Sequence, residues 1–325
     1  MSDRENALQK AWEVRQNFDP SIWFAAPGAK HYETRYYANQ ANSFVNLSIT
    51  GEACACRCDH CDGKLLHSMI GAPTPGEMRR VVDQLLDQGC RGILVSGGAD
   101  SRGQVPLLPF VDAIAYASQS GLKVLVHSGL IDRATAANLS EADVDQVLID
   151  IIGDQDTIRQ VYHLDRHPDD YLQAMLCCRE FDLNIAPHVV IGLHYGKIRG
   201  EKRALEMIAQ ADPETVILVI LTPACGTPMA IIEPPAIEEA AEIIAAARLT
   251  NPYVPLSLGC ARPPGQYKRK IEIQAVDCGV NSIAYPDEAT VAYAQSKGLQ
   301  TKFTEECCSL IARSVKRGNC RAYDN

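Results

Sequence analysis

The sequence lacks any apolar run long enough to cross a membrane, since no stretch approaches the roughly 18 residues that a transmembrane helix needs. The amino-terminal stretch MSDRENALQKAWEVRQ is charged and contains no apolar segment of the kind found in signal peptides. Positive charge is also scarce, because 31 Lys and Arg face 40 Asp and Glu, for a formal net charge of -9. This balance argues against a nucleic-acid or anionic-membrane surface. We therefore expect a cytoplasmic protein with neither kind of partner.

Long linkers and low-complexity segments are absent as well. The chain has 325 residues, of which 46% are hydrophobic, so it can bury a large core. This length is high for one ordinary domain and normal for an α/β barrel.

Cysteine, by contrast, is abundant, with thirteen residues in the chain. In a cytoplasmic protein this favours metal binding over disulfides. Cys54, Cys58 and Cys61 lie in the stretch GEACACRCDHCDGKLL, at spacings of three and then two residues between cysteines. This spacing allows three thiolates to hold one corner of a cubic four-iron four-sulfur (4Fe-4S) cluster, leaving one iron open. A zinc site is disfavoured because no second ligand pair lies at finger spacing.

Apolar runs with β-branched residues predict eight strands that alternate with helical segments. One helix is strongly marked by Thr74, Pro75 and Glu77, which form a capping box with proline at the first helical position. Eight such βα units predict a closed (β/α)8 barrel. The strands are predicted at Phe44 to Thr50, Gly92 to Ser96, Lys123 to His127, Gln146 to Ile152, Asn184 to Ile191, Thr215 to Leu221, Val254 to Leu258 and Ser282 to Tyr285.

The chain is therefore divided into three parts. Residues 1–43 are expected to form an amino-terminal helical cap, residues 44–300 the barrel, and residues 301–325 a cysteine-containing tail. In a barrel of this kind the functional residues lie at the carboxyl ends of the strands. There the sequence has the candidates Gly97, Gly98, Asp100, His127, Asp150, His188 and Gly192.

The C-x3-C-x2-C pattern, with His60 directly before its last cysteine, resembles the radical S-adenosylmethionine (SAM) enzymes. The resemblance implies a (β/α)8 radical SAM barrel and a 4Fe-4S cluster held by Cys54, Cys58 and Cys61, whose open iron binds SAM. It also implies that one electron cleaves SAM to a 5'-deoxyadenosyl radical that abstracts hydrogen. Cys56 is taken as a non-ligand, because only the other three cysteines give the superfamily spacing.

The same resemblance assigns SAM-binding roles to other residues. His60 takes the place of an aromatic residue near the adenine. Ser96-Gly97-Gly98-Ala99-Asp100 is similar to the superfamily's GGE motif, with Asp100 as the carboxylate that accepts from the SAM ammonium. Asp150 matches the fourth-strand contact to the ribose or carboxylate, and Gly192 matches the glycine stretch near adenine.

The tail contains Cys307, Cys308 and Cys320, in a segment too polar to be core throughout. They are either buried or incidental thiols, or the ligands of a second 4Fe-4S cluster. We expect the second cluster, because clustered free thiols would be open to oxidation. Cys225 and Cys260, at strand ends, are alternative ligands.

Phrases such as VLVHSGLID, PHVVIGLHYG and LGCARPPG most resemble the two-protein lipoyl synthases of archaea and some anaerobic bacteria. This implies a sulfurtransferase of lipoate biosynthesis that inserts sulfur into an octanoyl-lysine of a lipoyl carrier protein. A paralogous radical SAM partner and a low-potential electron donor are implied as well. Biotin synthase, which carries its auxiliary cluster on cysteines inside the barrel, is disfavoured because His127, Asp150 and His188 stand there instead.

Two alternatives remain open. One is a radical SAM mutase or maturase of the biotin synthase, hydrogenase-maturation or methylornithine type. The other is a non-catalytic metal-binding scaffold, which would not cleave SAM.

Overall fold

The computed structural model describes residues 3–315 and contains one parallel sheet in that range. Its helices lie between successive strands, as expected for βα units. The strands are β1 (Ser21–Ala25), β2 (Phe44–Ser48), β3 (Ile70–Gly71), β4 (Gly92–Ser96), β5 (Lys123–His127), β6 (Gln146–Asp150), β7 (Ile185–Ile191), β8 (Val216–Ile220), β9 (Leu256–Leu258), β10 (Ser282–Ala284) and β11 (Gln300–Thr304).

Among the helices of the described residues, the amphipathic helix α2 (Pro75–Asp87) shows why such helices form. Thr74 Oγ1 accepts a hydrogen bond from Glu77 N at 3.2 Å, Pro75 occupies the first turn, and Met78 and Val82 are buried. The predicted N-cap at Thr74 is thus confirmed, while the Glu77 carboxylate accepts from the Thr74 hydroxyl (2.9 Å) instead of the backbone N–H that a capping box requires. The α-helices are α1 (Asp3–Arg15), α2 (Pro75–Asp87), α3 (Val111–Gln119), α4 (Arg133–Glu141), α5 (Gln155–Val161), α6 (Pro168–Glu180), α7 (Glu201–Gln210), α8 (Ile237–Thr250), α9 (Gln266–Asp277) and α10 (Glu288–Ser296), with 3-10 helices at Lys64–Ser68, Leu108–Phe110 and Cys308–Arg313.

The strand order is β11-β1-β10-β9-β8-β7-β6-β5-β4-β2-β3, with every pair parallel. The sheet curls so that Leu125, Leu148, Ala186 and Ile217 pack together on its inner side. All carboxyl ends of the strands therefore face one rim, where sites in barrels of this kind are built.

The predicted α/β barrel class is confirmed, and the eight predicted strands correspond to β2 and to β4 through β10. The predicted closure is different. Within residues 3–315, β10 pairs with β9 and β1, and β2 pairs with β4 and β3, so the sheet is a curled open sheet rather than a ring of eight strands. The reason is β1, which occupies the pairing edge of β10.

Side chains connect the β11 edge of the curled sheet with the segments before β2 and β4. The buried Glu305, directly after β11, accepts hydrogen bonds from the Tyr37 hydroxyl (2.9 Å) and from Gln40 N (3.0 Å), and it forms an ion pair with Arg91 before β4. Because β1 and β11 both lie in the sheet, the proposed boundaries after residues 43 and 300 do not coincide with its edges.

Candidate active site

The cysteine loop follows β2 and is packed against the end of β4. Gly98 N donates to Thr50 Oγ1 at 2.7 Å, and Ala55 N donates to Ala99 O at 2.9 Å. A Cβ on Gly98 would lie 2.0 Å from Ala53 O and 2.5 Å from Cys54 Cα. The sequence suggested that this glycine pair admits a ligand. In the structure Gly98 admits the backbone of the cysteine loop itself.

Three side chains of the loop, Cys58, His60 and Cys61, lie close together. The atoms with which they could bind a metal are all within 4.8 Å of one another. Hydrogen bonding from Cys58 lowers the pKa of Cys61 to about 4. In the same way, hydrogen bonding from Cys54 lowers the pKa of Cys56 to about 4. Cys56 thus lies among the other thiols, and its Sγ is also 3.2 Å from Asp100 O.

His60 and two neighbouring tyrosines lie at the loop's inner side. The His60 ring packs on the Tyr162 ring, with the two centroids 5.5 Å apart. Among the described residues, the buried Nδ1 of His60 has no hydrogen-bond partner. The hydroxyl of Tyr171, a residue that is only 4% exposed, is also buried without a partner. Unpartnered buried polar atoms are costly, and these two border the same chamber, so a polar ligand there would satisfy them.

That chamber, of about 380 Å³, is enclosed by the sheet and the cysteine loop. Its opening side carries the loop cysteines, and much of its wall is apolar, including Leu94, Val190 and Val219. Three polar side chains enter it from adjacent strands: His127, Asp150 and His188. The chamber therefore has an apolar wall and one polar side.

The polar side contains an interacting pair and a separate imidazole. His127 Nε2 lies 3.7 Å from Asp150 Oδ1. Burial favours the neutral acid, but the attraction of His127 prevails and lowers the pKa of Asp150 to about 2. Burial lowers the pKa of His188 to about 4, and its Nδ1 lies 3.0 Å from Ala186 O. At neutral pH Asp150 is thus ionised and His188 is uncharged.

Two other predicted SAM-binding residues have their polar groups engaged by the protein. Asp100 Oδ1 accepts from Arg102 N (2.8 Å) and Gln104 N (3.0 Å), so the carboxylate holds its own turn. Gly192, with φ of 81°, donates its N–H to Glu201 Oε1 at 2.8 Å. Neither residue lines the chamber, whereas Gly97, Gly98, His60 and Asp150 do.

Cys307 and Cys308 lie on the inner side of the sheet. Cys308 begins the turn Cys308–Arg313, whose Ser309 O accepts from Gln146 Nε2 at 3.1 Å and whose Arg313 pairs with Asp145 at 2.6 Å. Both partners lie at the amino end of β6, opposite the cysteine loop. Cys320 lies outside the described residues.

Cys307 and Cys308 have a third thiol nearby. Cys260, after β9, is exposed and lines the chamber. Burial and then the charge of Cys307 raise the pKa of Cys260. Burial, followed by the charges of all three thiols, also raises the pKa of Tyr285. Tyr285 packs with Cys307 and Cys308 in the inner core of the sheet, and of the three thiols Cys260 is the one that lines the chamber.

The comparisons with known proteins decide the family. The model of the radical SAM superfamily matches residues 48–211, which is half of the chain and includes the cysteine loop. The chain belongs to the radical SAM superfamily. Membership implies a 4Fe-4S cluster and SAM as its cofactors.

Among curated radical SAM proteins the chain is similar to biotin synthases. It is 28% identical over 251 residues to that of Neisseria meningitidis serogroup C / serotype 2a, covering 74% of this chain and 70% of the relative. It is 24% identical over 269 residues to that of Leptothrix cholodnii, covering 79% and 75%. These relatives support the alternative class of the sequence analysis better than the lipoyl synthase reading, which is not confirmed.

Solved structures agree on the fold. Methylornithine synthase (PylB) matches with a TM-score of 0.62 at 15% identity, covering 92% of this chain and 89% of that one. HydG, a maturase of the [FeFe]-hydrogenase, matches with a TM-score of 0.64 at 15% identity, covering 96% and 70%. At this identity the likeness concerns the radical SAM fold alone.

The residues present fit the superfamily's cofactors. The loop offers sulfur donors at the superfamily spacing, and the unpartnered His60 Nδ1 and Tyr171 hydroxyl border the space beside them. Tyr171 has no sequence signal, because helix α6 brings it to the chamber from more than 100 residues away. None of the described helices is long and apolar enough to span a membrane.

Proposed function

We propose that this radical SAM enzyme inserts sulfur at unactivated carbon, acting on an octanoyl group carried by a lysine of a lipoyl carrier protein. The observation that carries the proposal is Cys260 on the chamber wall, with Cys307 and Cys308 in the apolar core on the inner side of the sheet. Sulfur insertion is also compatible with biotin synthases as relatives. The octanoyl group is proposed from the sequence phrases and from the apolar wall of the chamber.

In this proposal Cys54, Cys58 and Cys61 hold the SAM cluster. When bound, that cluster supplies the electron that cleaves SAM, and an auxiliary cluster supplies the sulfur. Cys307 and Cys308 hold the auxiliary cluster, and Cys260, whose charge acts on Cys308, is proposed as the third ligand. Cys320 stays a predicted ligand outside the described residues.

The chain's own residues have simpler tasks. The loop and the β4 end form the side of the chamber where SAM binds, with Gly97, Gly98 and Asp150 on its wall. Leu94, Val190 and Val219 exclude water from the reacting carbon, which protects a carbon radical from side reactions. A low-potential donor supplies electrons, and a paralogous radical SAM protein shares the two sulfur insertions.

Iron and sulfide analysis of anaerobically reconstituted protein tests the second cluster. We expect about eight iron atoms per chain, since each cubic cluster contains four. The variant Cys307→Ala/Cys308→Ala should contain about four. Cys278→Ala is the matched control, because Cys278 is buried against Ala241 in α8, away from the chamber, and should keep about eight.

About four iron atoms in the unaltered protein would support a second candidate, a mutase or maturase without an auxiliary cluster. The chamber's polar side favours that candidate, because the ionised Asp150 suits a polar substrate better than a hydrocarbon chain. Protein that fails to cleave SAM under reducing conditions would indicate the non-catalytic scaffold.

A further inference from the structure

Asp59, between Cys58 and Cys61 in the cysteine loop, binds two distant side chains. Its Oδ1 lies 2.9 Å from His163 Nε2, and its Oδ2 accepts a hydrogen bond from the Tyr195 hydroxyl at 2.7 Å. Its backbone is fixed as well, since Asp59 N donates to Val161 O at 2.9 Å and Asp59 O accepts from Met229 N at 3.2 Å. Through its carboxylate and its backbone together, Asp59 is therefore a junction between the cysteine loop and three later segments.

Both side-chain partners have an unusual backbone. His163 has φ of 57° and Tyr195 has φ of 51°, in the left-handed region that residues other than glycine rarely adopt. Such conformations cost energy and persist where surrounding contacts require them. Here His163 and Tyr195 both bind the carboxylate of Asp59.

The two partners belong to segments that border the chamber. His163 follows Tyr162, which lines the chamber and packs on the ring of His60. Tyr195 lies in the turn after β7 that begins with Gly192. Asp59 thus connects the loop that carries the cysteines with the segments after helix α5 and after strand β7.

We propose that Asp59 is a positioning residue which, through Tyr195 and His163, fixes the cysteine loop relative to the chamber wall where SAM binds. Asp59 does not act on the reacting atoms. It restricts the loop to the arrangement in which the cluster's open iron and the SAM-binding wall face each other. The inference does not depend on which substrate the enzyme uses.

The test is Tyr195→Phe, which removes one hydrogen bond to a charged acceptor and little else. Its control is Tyr293→Phe, because Tyr293 donates to Asp277 at 2.7 Å in the same type of pair, far from the chamber. We expect Tyr195→Phe to retain iron and to bind SAM about tenfold more weakly in equilibrium binding. The SAM-induced change in the electron paramagnetic resonance spectrum of the reduced cluster should weaken in parallel.

A second measurement does not need the cluster. In the iron-free full-length protein, amide hydrogen exchange of residues 51–66 should be faster in Tyr195→Phe and Asp59→Asn than in Tyr293→Phe. The proposal is overturned if Tyr195→Phe matches Tyr293→Phe in SAM affinity and in loop exchange. It is also overturned if Tyr195→Phe only lowers the melting temperature while SAM affinity stays unchanged.

Discussion

At the scale of single residues, the cysteine loop places four thiols where three are expected to bind iron. Spacing alone selects Cys54, Cys58 and Cys61, whereas in the structure Cys56 is buried in the same loop and its Sγ donates to Asp100 O at 3.2 Å. The ligand assignment therefore stays a prediction that a substitution series tests.

Cys58→Ala should abolish reductive SAM cleavage, because two thiolates do not hold a cubic cluster stably. Cys56→Ala, which removes a neighbouring thiol of the same loop, should keep both iron and cleavage. The measurement is 5'-deoxyadenosine formation with a strong reductant. Cleavage that survives in Cys58→Ala and disappears in Cys56→Ala would reverse the assignment.

The Asp150 and His127 pair gives a prediction on pH. Because the pKa of Asp150 is lowered to about 2 in the folded protein, the pair stabilises the fold above the ordinary carboxyl pKa. That contribution is lost as pH falls from about 4 to about 2. Burial lowers the pKa of His127, but the attraction of Asp150 outweighs burial and raises it. The stability that His127 contributes is therefore lost as pH rises through its raised pKa.

In Asp150→Asn we expect the pKa of His127 to fall below its ordinary value of 6.5, because burial remains and the attraction is gone. Nuclear magnetic resonance titration of the iron-free protein measures it, with exposed His31 as the internal reference. An unchanged His127 pKa would show that the two side chains do not interact.

At the scale of secondary-structure elements, the apolar runs of the sequence predict β2 and β4 through β10 well. They miss β1, a five-residue strand after Pro20, because nothing in SIWFA shows that its partners in the sheet, β10 and β11, lie about 260 and about 280 residues later. They also miss β11, QTKFT, whose exposed polar residues are those of an edge strand. Because the sequence does not reveal β1 and β11, it predicts a barrel closed by eight strands.

The buried pair Arg262–Glu272 joins three of these elements. Arg262 Nη2 lies 2.7 Å from Glu272 Oε1 in α9, and its guanidinium also donates to the carbonyls of Gly259 and Ala284, after β9 and in β10. Both side chains are almost completely buried. The pair therefore fixes the segment that carries Cys260.

Arg262→Ala should lower the free energy of unfolding by about 3 kcal/mol, because Glu272 stays buried and keeps only the longer ion pair with Lys268 (3.7 Å). Arg269→Ala, which breaks the exposed pair with Asp287, is the control and should cost less than about 1 kcal/mol. Urea unfolding measures both. Equal losses of unfolding free energy in the two variants would show that Lys268 compensates the charge of Glu272 once Arg262 is removed.

At the scale of the whole molecule, the chamber lies between two groups of thiols, one in the loop after β2 and one made by Cys260, Cys307 and Cys308. The sequence predicts the first group from spacing, since its members lie within eight residues. It names Cys307 and Cys308, with Cys260 as an alternative, as ligands of a second cluster, but it does not predict the Asp59 junction, whose members are brought together by the curl of the sheet.

The most direct test of the proposed sulfur insertion is product analysis with an octanoylated carrier peptide, SAM, a reductant and the paralogous partner protein. We expect thiolated peptide from the unaltered chain. Cys307→Ala/Cys308→Ala should still form 5'-deoxyadenosine, because the loop cysteines are intact, and should give no thiolated peptide. Thiolated peptide from that variant would contradict the donor role, and 5'-deoxyadenosine without thiolated peptide from the unaltered chain would contradict the substrate.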